Sequence, residues 1–491
     1  MNKPSLRPAT RALLAGVALM AVISVPLAGS ATGLANAPFH LRADNIEKPS
    51  TYAIKPGIKK ATESGSEAGG GSTTQPGTGT GGSTSPATPP VTTPPTTEPT
   101  PSKPSDPNPD LISITMDTRK CNYSTISFQV ASSISLPDGS DPKAIATVTE
   151  KLPVNGTVSW GDGSTSTLAY GSMSHTYSTK GEYTMELRGI VGGLTTSSAS
   201  SCYTKINHMG DETGIRNLDG FLSGTSYLTE MAEPPVTLQT ARNMFSSNIG
   251  FNGDTSQWTL PNLVDAGGMF QSAQNFNGDL GKLDTGKLLR AGAMFRASYA
   301  FEGKGLQNWN TSNLRQMGSM FANTSVFTGD VLANWDVSRV FTFDSTFMES
   351  NFNGSLSGWN PESAITVANM FKKNKVFNQP IDNWNLSKAT DFSYMFSDAL
   401  KFNQPINGWK VGNGVIFTKM FYRDGTGTIM AFNQPLDKWD TGSATTMTGM
   451  FWGATNMAQD LSMWNVPNVR LKDAFAASTK MTTAQLPKWV K

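Results

Sequence analysis

Residues 370–384 read MFKKNKVFNQPIDNW, and residues 395–409, one step of 25 later, read MFSDALKFNQPINGW. A third copy keeps Met420-Phe421, Phe432-Asn433-Gln434-Pro435-Leu436 and Trp439. Earlier copies begin at Met244-Phe245, Met269-Phe270, Met294-Phe295, Met320-Phe321 and Thr346-Phe347, and later ones at Met450-Phe451 and Ala474-Phe475. Most steps are 24 to 26 residues; the step from Phe421 to Phe451 is 30, with its excess in the Gly-containing stretch Arg423–Ile429, as expected of a loop on an outer face. A unit this short cannot bury its own Phe, Met and Trp, so the pattern predicts a solenoid in which each side chain packs on its copy in the next coil. Each large apolar side chain hidden this way contributes about 1.5–3 kcal/mol before ordering entropy is charged. At ~4.8 Å per coil, about ten coils make a rod roughly 50 Å long.

Within a coil, a short strand is expected around Gln379–Asp382, with Pro380, Pro405 and Pro435 at strand starts because proline has no ladder donor. A short helical turn is expected before each Met-Phe pair, as at Asp391–Phe396. Leu283 in a Trp place and Met457 in a Phe place depart from the pattern. Gly214–Glu230, with Leu218, Phe221, Leu222 and Leu228, reads as a degenerate first coil, and Leu486-Pro487-Lys488-Trp489 as the closing end. The Asn row at 252, 277, 353, 378, 403 and 433 is expected to form a hydrogen-bonded ladder.

Outward from the repeats, Leu111–Tyr203 reads as several short strands. Ile112–Met116 and Gly181–Leu187 alternate, and Thr157–Trp160 runs into the turn Gly161-Asp162-Gly163 before a return strand at His175-Thr176-Tyr177. Trp160-Gly161-Asp162-Gly163-Ser164, His175-Thr176-Tyr177 and Gly181-Glu182-Tyr183-Thr184 resemble a polycystic-kidney-disease (PKD) type domain over about 90 residues, although a single Trp stands where that family has more residues before the turn. The resemblance implies an Ig-like sandwich serving as a spacer or adhesion module on exported proteins. The repeats, over roughly residues 210 to 491, resemble the BspA-type leucine-rich-repeat surface proteins in their Met-Phe…Phe-Asn-Gln…Trp variant. That resemblance implies bacterial surface display and binding to host proteins or other cells.

The N-terminus reads as an export signal: Lys3, Arg7 and Arg11 precede a mostly apolar run, Ala12–Ala28, too short for an ordinary spanning helix. Cleavage after Ser30 or after Ala37, or retention as an uncleaved anchor, are the alternatives; neither a lipoprotein cysteine nor a second apolar span near Lys491 is expected. Ala61–Pro109 is almost wholly Gly, Ser, Thr and Pro and reads as a stalk that cannot offset its ordering entropy. In an oxidising compartment Cys121 and Cys202 are expected to bridge, with two separate buried thiols as the alternative. The expected organisation is a signal peptide at 1–37, a disordered stalk at 38–109, a PKD-like sandwich at 110–208 and the solenoid at 209–491, mainly β with short helical turns.

A net charge of +2 with 15% charged residues gives no electrostatic case for nucleic acid. His40, His175 and His208 are scattered, no Gly-x-Ser-x-Gly elbow occurs, and no Lys-Ser/Thr follows Gly161-Asp162-Gly163, so the chain is read as non-enzymatic, without metal or cofactor. Asp138 and Asp141 beside Gly139 are read as a solvated turn in preference to a calcium site. The periodic Trp and Phe rows belong to the core. Binding then falls to polar positions between them, for which Gln379, Asp382, Gln404, Asn407, Gln434 and Asp437 are the candidates. The expectation is an exported adhesin or binding platform for a host or neighbouring-cell surface protein or glycan, the alternative being a structural surface component without a specific ligand.

Overall fold

The computed structural model describes residues 106–489, apart from 122, 142, 144, 145, 197–199 and 426. The export signal and nearly all of the stalk lie outside the described residues. The described chain is mainly β, its helix limited to single 3-10 turns such as Leu306–Asn308 and Thr483–Gln485.

Eleven strands are numbered in chain order. β1 (Leu111–Asp117), β5 (Val154–Ser159), β6 (Thr165–Thr167), β8 (Glu182–Val191), β10 (Tyr203–Met209) and β11 (Glu230–Met231) form one sheet in the order β11-β10-β1-β8-β5-β6. β2 (Thr125–Val130), β7 (Gly171–Thr176) and β9 (Leu194–Thr196) form a second, and β3 (Ser133–Pro137) with β4 (Thr147–Lys151) makes a hairpin. Ile112, Ile114 and Met116 of β1, Ile126 and Phe128 of β2, and Met185 and Leu187 of β8 meet in one core, as the alternation of these strands demands. Cys121 and Cys202 are disulfide-bonded, Cα to Cα 5.1 Å, closing a separation of 81 residues.

The Trp160–Tyr177 unit is tied by its own side chains. Trp160 Nε1 donates to Ser166 Oγ at 3.0 Å, and the Tyr177 hydroxyl to the Trp160 carbonyl at 2.6 Å. Gly161 has φ +88, and a Cβ there would lie 2.5 Å from the Thr184 carbonyl oxygen, so glycine is required. His175 sits in β7, 2.7 Å from Asp162 Oδ2. Hydrogen bonds from Ser164, then His175, hold the Asp162 carboxyl down at about 2.

From residue 217 onward the coils are joined by single parallel bridges, Asn217 to Thr240, Asp265, Arg290, Gln316, Thr342, Thr366, Asp391, Ile416, Thr446 and Leu471. This ladder corrects two sequence expectations. Gln379–Asp382 is not a strand; the inter-coil backbone bonds lie instead across the segment expected to be helical. The N–H groups of Ala241, Asn243, Phe245 and Ser247 donate to the carbonyls of Asp265, Gly267, Met269 and Gln271 in the next coil. The alternate N–H groups of Met244, Ser246 and Asn248 bond three residues back, to Ala241, Asn243 and Phe245. Asn243 (φ 53) and Ser247 (φ 57) are left-handed, so each coil carries a run of tight turns. A right-handed helix is excluded by positive φ every fourth residue, and it would turn the N–H groups along its own axis rather than to the neighbouring coil.

Left-handed φ recurs in nearly every coil at non-glycine residues, including Ala293 (φ 56) and Ala297 (φ 57). Each costs about 1 kcal/mol that the ladder offsets. Ala297→Gly should therefore stabilise the fold by about 0.5 kcal/mol, although Ala→Gly normally destabilises. Urea denaturation measures it, and a loss of stability would contradict the assignment of strain.

The last register is also corrected. Phe451 N–H donates to the Phe475 carbonyl as Phe421 N–H donates to that of Met450, so Phe475 occupies the Met place and Ala476 the Phe place. Ala474 takes the left-handed position, φ 53. The proposed closing segment does cover this end: Trp489 packs edge-on against Phe475 at 5.1 Å, and Leu461 N–H donates to Gln485 O.

At the other end the first coil is buried, Leu218, Phe221, Leu222 and Leu228 being at most 1% exposed. The sheets supply its neighbour. Gly193, between β8 and β9, bridges in parallel to Asn217, and β11 pairs in parallel with β10. Sheets and coils thus share one apolar core and one compact unit. The region read as a spacer is the first layer of the stack, covering the edge that an array of open coils would leave unpaired.

Candidate functional site

The repeat landmarks are consumed by the stack. Phe371 and Phe396 stack at 5.6 Å, Phe377 and Phe402 at 5.9 Å, and Trp384 and Trp409 at 6.2 Å. From Trp309 to Trp464 the indoles of the row also donate backwards: Trp409 Nε1 to Ile381 O at 2.8 Å, Trp439 to Ile406 O at 3.0 Å, Trp464 to Leu436 O at 2.8 Å. Leu283 and Met457 fill the departing places and are buried as well. The Asn row forms the expected ladder through side chains: Asn378 N–H donates to Asn353 Oδ1, Asn403 N–H to Asn378 Oδ1 and Asn433 N–H to Asn403 Oδ1, all at 2.9 Å. Amide side chains hold the coils together here whether or not a proline stands two positions on: Asn277 N–H donates to Asn252 Oδ1 at 2.7 Å with Asp254 and Asp279 in the places of Pro380 and Pro405.

The six polar candidates fall beside this ladder and are only partly free. Gln404 Nε2 donates to Asn378 O at 2.9 Å. Asn407 Nδ2 donates to Asp437 Oδ1 at 2.9 Å, while its Oδ1 accepts from Lys438 N–H at 3.0 Å. Gln379 and Gln434 are half-buried, and Asp382 and Asp437 are exposed. Asn407 also lines a shallow groove of about 530 Å³ with Lys410, Asn413 and Lys438.

A larger groove, about 670 Å³, opens where the extra residues of the 30-residue step leave the stack. Its walls include Glu349, Lys373, Lys375, Asp398, Arg423 and Asp424. The insertion is anchored by Asp398 Oδ1, which accepts from Arg423 Nη1 at 2.8 Å and from Asp424 N–H at 3.0 Å. Arg423 Nε closes the loop onto Thr428 O at 3.0 Å. Gly425 and Gly427 take φ 117 and 112, conformations that side chains rarely adopt, which explains glycine at both.

Beside the groove lies an aromatic and cationic strip. Lys372 Nζ is 4.6 Å from the Tyr394 ring centre and Lys419 Nζ 4.5 Å from that of Tyr422. Trp452, 42% exposed, meets Tyr422 edge-on at 5.6 Å. Burial, then the Asp424 carboxylate, pushes the Tyr422 hydroxyl above its ordinary range. The sequence carries a signal for this strip. Tyr394 stands where other copies have Asn243, Gly268 or Ser319, and Trp452 where they have Ser246 or Gln271. These are aromatics in columns that packing does not require to be aromatic.

Among the described residues, no group of three or more His, Cys, Asp and Glu could hold a metal ion, and no helix is long and apolar enough to cross a membrane. The Asp138 and Asp141 carboxylates accept locally, from Ser140 and from the Lys143 and Ala146 amides, which builds the turn.

A protein of stacked coils, with ring rows inside and an irregular loop outside, is a repeat protein. The chain belongs to the family described as "Mycoplasma protein of unknown function, DUF285", which matches residues 236–333, 327–428 and 402–489. Comparison with curated proteins and with solved structures gives no match.

Proposed function

We propose that this is an exported surface protein whose coils, a leucine-rich-repeat-type solenoid capped by an Ig-like, PKD-like sandwich, bind a protein or glycan on a host or neighbouring cell. We read it as non-enzymatic, without cofactor. The observation that carries this is the strip Tyr394, Tyr422 and Trp452 beside the groove at Arg423–Ile429. In a stack that buries its periodic rings almost completely, a tryptophan left 42% exposed, edge-on to Tyr422 and next to an irregular, charge-lined loop, stands outside the buried rows. Large aromatics with few side-chain torsions lose little entropy on capture, and the paired charges around them provide directional contacts.

The test is binding of the full chain to cells or to an array of surface glycans and proteins. Trp452→Ala and deletion of residues 424–428 should each weaken capture at least tenfold while leaving the melting temperature nearly unchanged. Wild-type capture by both variants would overturn this reading of the site. Absence of capture by the wild-type chain would favour the rival, a structural surface component without a specific ligand.

A further inference from the structure

A second surface differs in charge from the groove at Arg423. Asn262, Lys287, Asn313, Arg339, Ser363 and Lys388 occupy one column of the stack, each three residues before its coil's bridge position. Cations alternate in it with small polar residues, so successive positive charges lie two coils, about 10 Å, apart.

The asparagines hold the cations without neutralising them. Asn262 Nδ2 donates to Val236 O at 2.8 Å, which aims its Oδ1 to accept from Lys287 Nζ at 2.7 Å. Asn313 repeats the arrangement, Nδ2 to Gly286 O at 2.7 Å and Oδ1 from Arg339 Nη1 at 3.1 Å. An amide oxygen orients an ammonium or guanidinium but carries no net charge, so the positive charge is left for something else.

Around Arg339 the row deepens into a groove of about 330 Å³, lined by Lys143, Arg315, Arg339 and Lys388 together with Phe341, Ser363 and Ile365, and by no carboxylate. Arg315 donates to the Asn313 carbonyl at 2.7 Å. Its guanidinium is held below its ordinary range by burial and then by the like charge of Arg339, against which Asp336 acts only as an opposing influence. Two guanidiniums lining one groove whose walls hold no carboxylate raise the energy of the empty chain and lower it when an anion enters.

We propose that this row is a binding site for an acidic polysaccharide, with Arg315 and Arg339 taking one sulfate or carboxylate group and Lys287 and Lys388 contacting its neighbours along the chain. Guanidinium forks match the planar or tetrahedral oxyanion, and the half-buried Phe341 offers a ring for the sugar face. A cation row at regular spacing favours a polymer with regularly spaced charge over a single small anion. The inference rests on the reading of the protein as a surface-binding one and assigns a ligand class to a different face.

The experiment measures binding of the full chain to immobilised heparin and to hyaluronan across a salt series. Inorganic sulfate and phosphatidylglycerol vesicles serve as competitors, and the double variant R315Q/R339Q is run beside W452A. The expected result is heparin binding that falls at least tenfold in R315Q/R339Q, with a shallower salt dependence and an unchanged response in W452A. Removing the like-charge pair should leave the melting temperature equal or higher, so the loss is not unfolding. Unchanged heparin binding in R315Q/R339Q would overturn the proposal, as would competition by free sulfate or by vesicles at equal charge concentration. Heparin binding unchanged in R315Q/R339Q with cell capture lost in W452A would sink this inference while leaving the function proposed above intact; heparin binding lost in R315Q/R339Q with capture kept in W452A would do the reverse.

Discussion

Trp409→Ala should destabilise the coils by about 3–5 kcal/mol, among the largest effects expected of any single side chain here. The indole is 2% exposed, packs at 6.2 Å on Trp384 and 6.3 Å on Trp439, and donates to the Ile381 carbonyl. Truncation removes the ring from both stacks, leaves a cavity, and orphans a buried carbonyl acceptor. The damage is not confined to one coil, since stability in a stack is a sum of unit and nearest-neighbour contributions. Urea denaturation with Trp409→Phe as the control separates the parts: phenylalanine keeps most of the ring and loses the N–H, so a loss well under half that of alanine is expected. A loss below about 1 kcal/mol for alanine, with the slope of the transition unchanged, would mean that the row does not bear the load assigned to it.

Breaking the Cys121–Cys202 bond should cost about 4 kcal/mol by the chain-entropy argument, because it releases a closure of 81 residues. Cys202 immediately precedes β10, and β10 is the strand that holds β1 on one side and β11 on the other. The bond therefore secures the sheets and, through the pairing of β10 with β11, their junction with the first coil. The Cys121→Ser/Cys202→Ser variant should melt well below the oxidised protein, and reductant should lower the oxidised protein to the same point. Equal melting temperatures for all three would show that the sheet contacts suffice alone.

Sequence and structure part company inside the coil. The period, the core residues and the Asn ladder were readable because each recurs in register, and a recurring side chain in a stack has its own copy as neighbour. The tight-turn ladder was not readable. Its left-handed positions are filled by Asn243, Ala293, Glu349, Lys373 and Tyr394, residues with no common chemistry, because the bonds that impose the conformation come from the next coil. For the same reason a Met-Phe pattern placed Ala474-Phe475 one residue out of register: apolar identity alone does not distinguish two adjacent inward places.

The candidate site shows a similar division. Gln404 and Asn407 read as polar residues between core positions, and the structure commits them to Asn378 and Asp437. The column signal at Trp452 and Tyr422 is masked because aromatic residues in this sequence are otherwise core, and only the fold shows which column faces outward.

By itself the sequence determined that the C-terminal half is a repeat whose units need one another, since the period and the oily landmarks are local and additive. It also showed short strands ahead of the repeat, among them Ile112–Met116, Thr157–Trp160 and Gly181–Leu187, and two cysteines within that region. Only the tertiary structure decided that the sheets are the first layer of the stack, where the inter-coil hydrogen bonds run, and that Arg315 and Arg339 line one groove whose walls hold no carboxylate. Those features depend on backbone direction and on contacts between residues far apart in the chain, and no period in the letters records them.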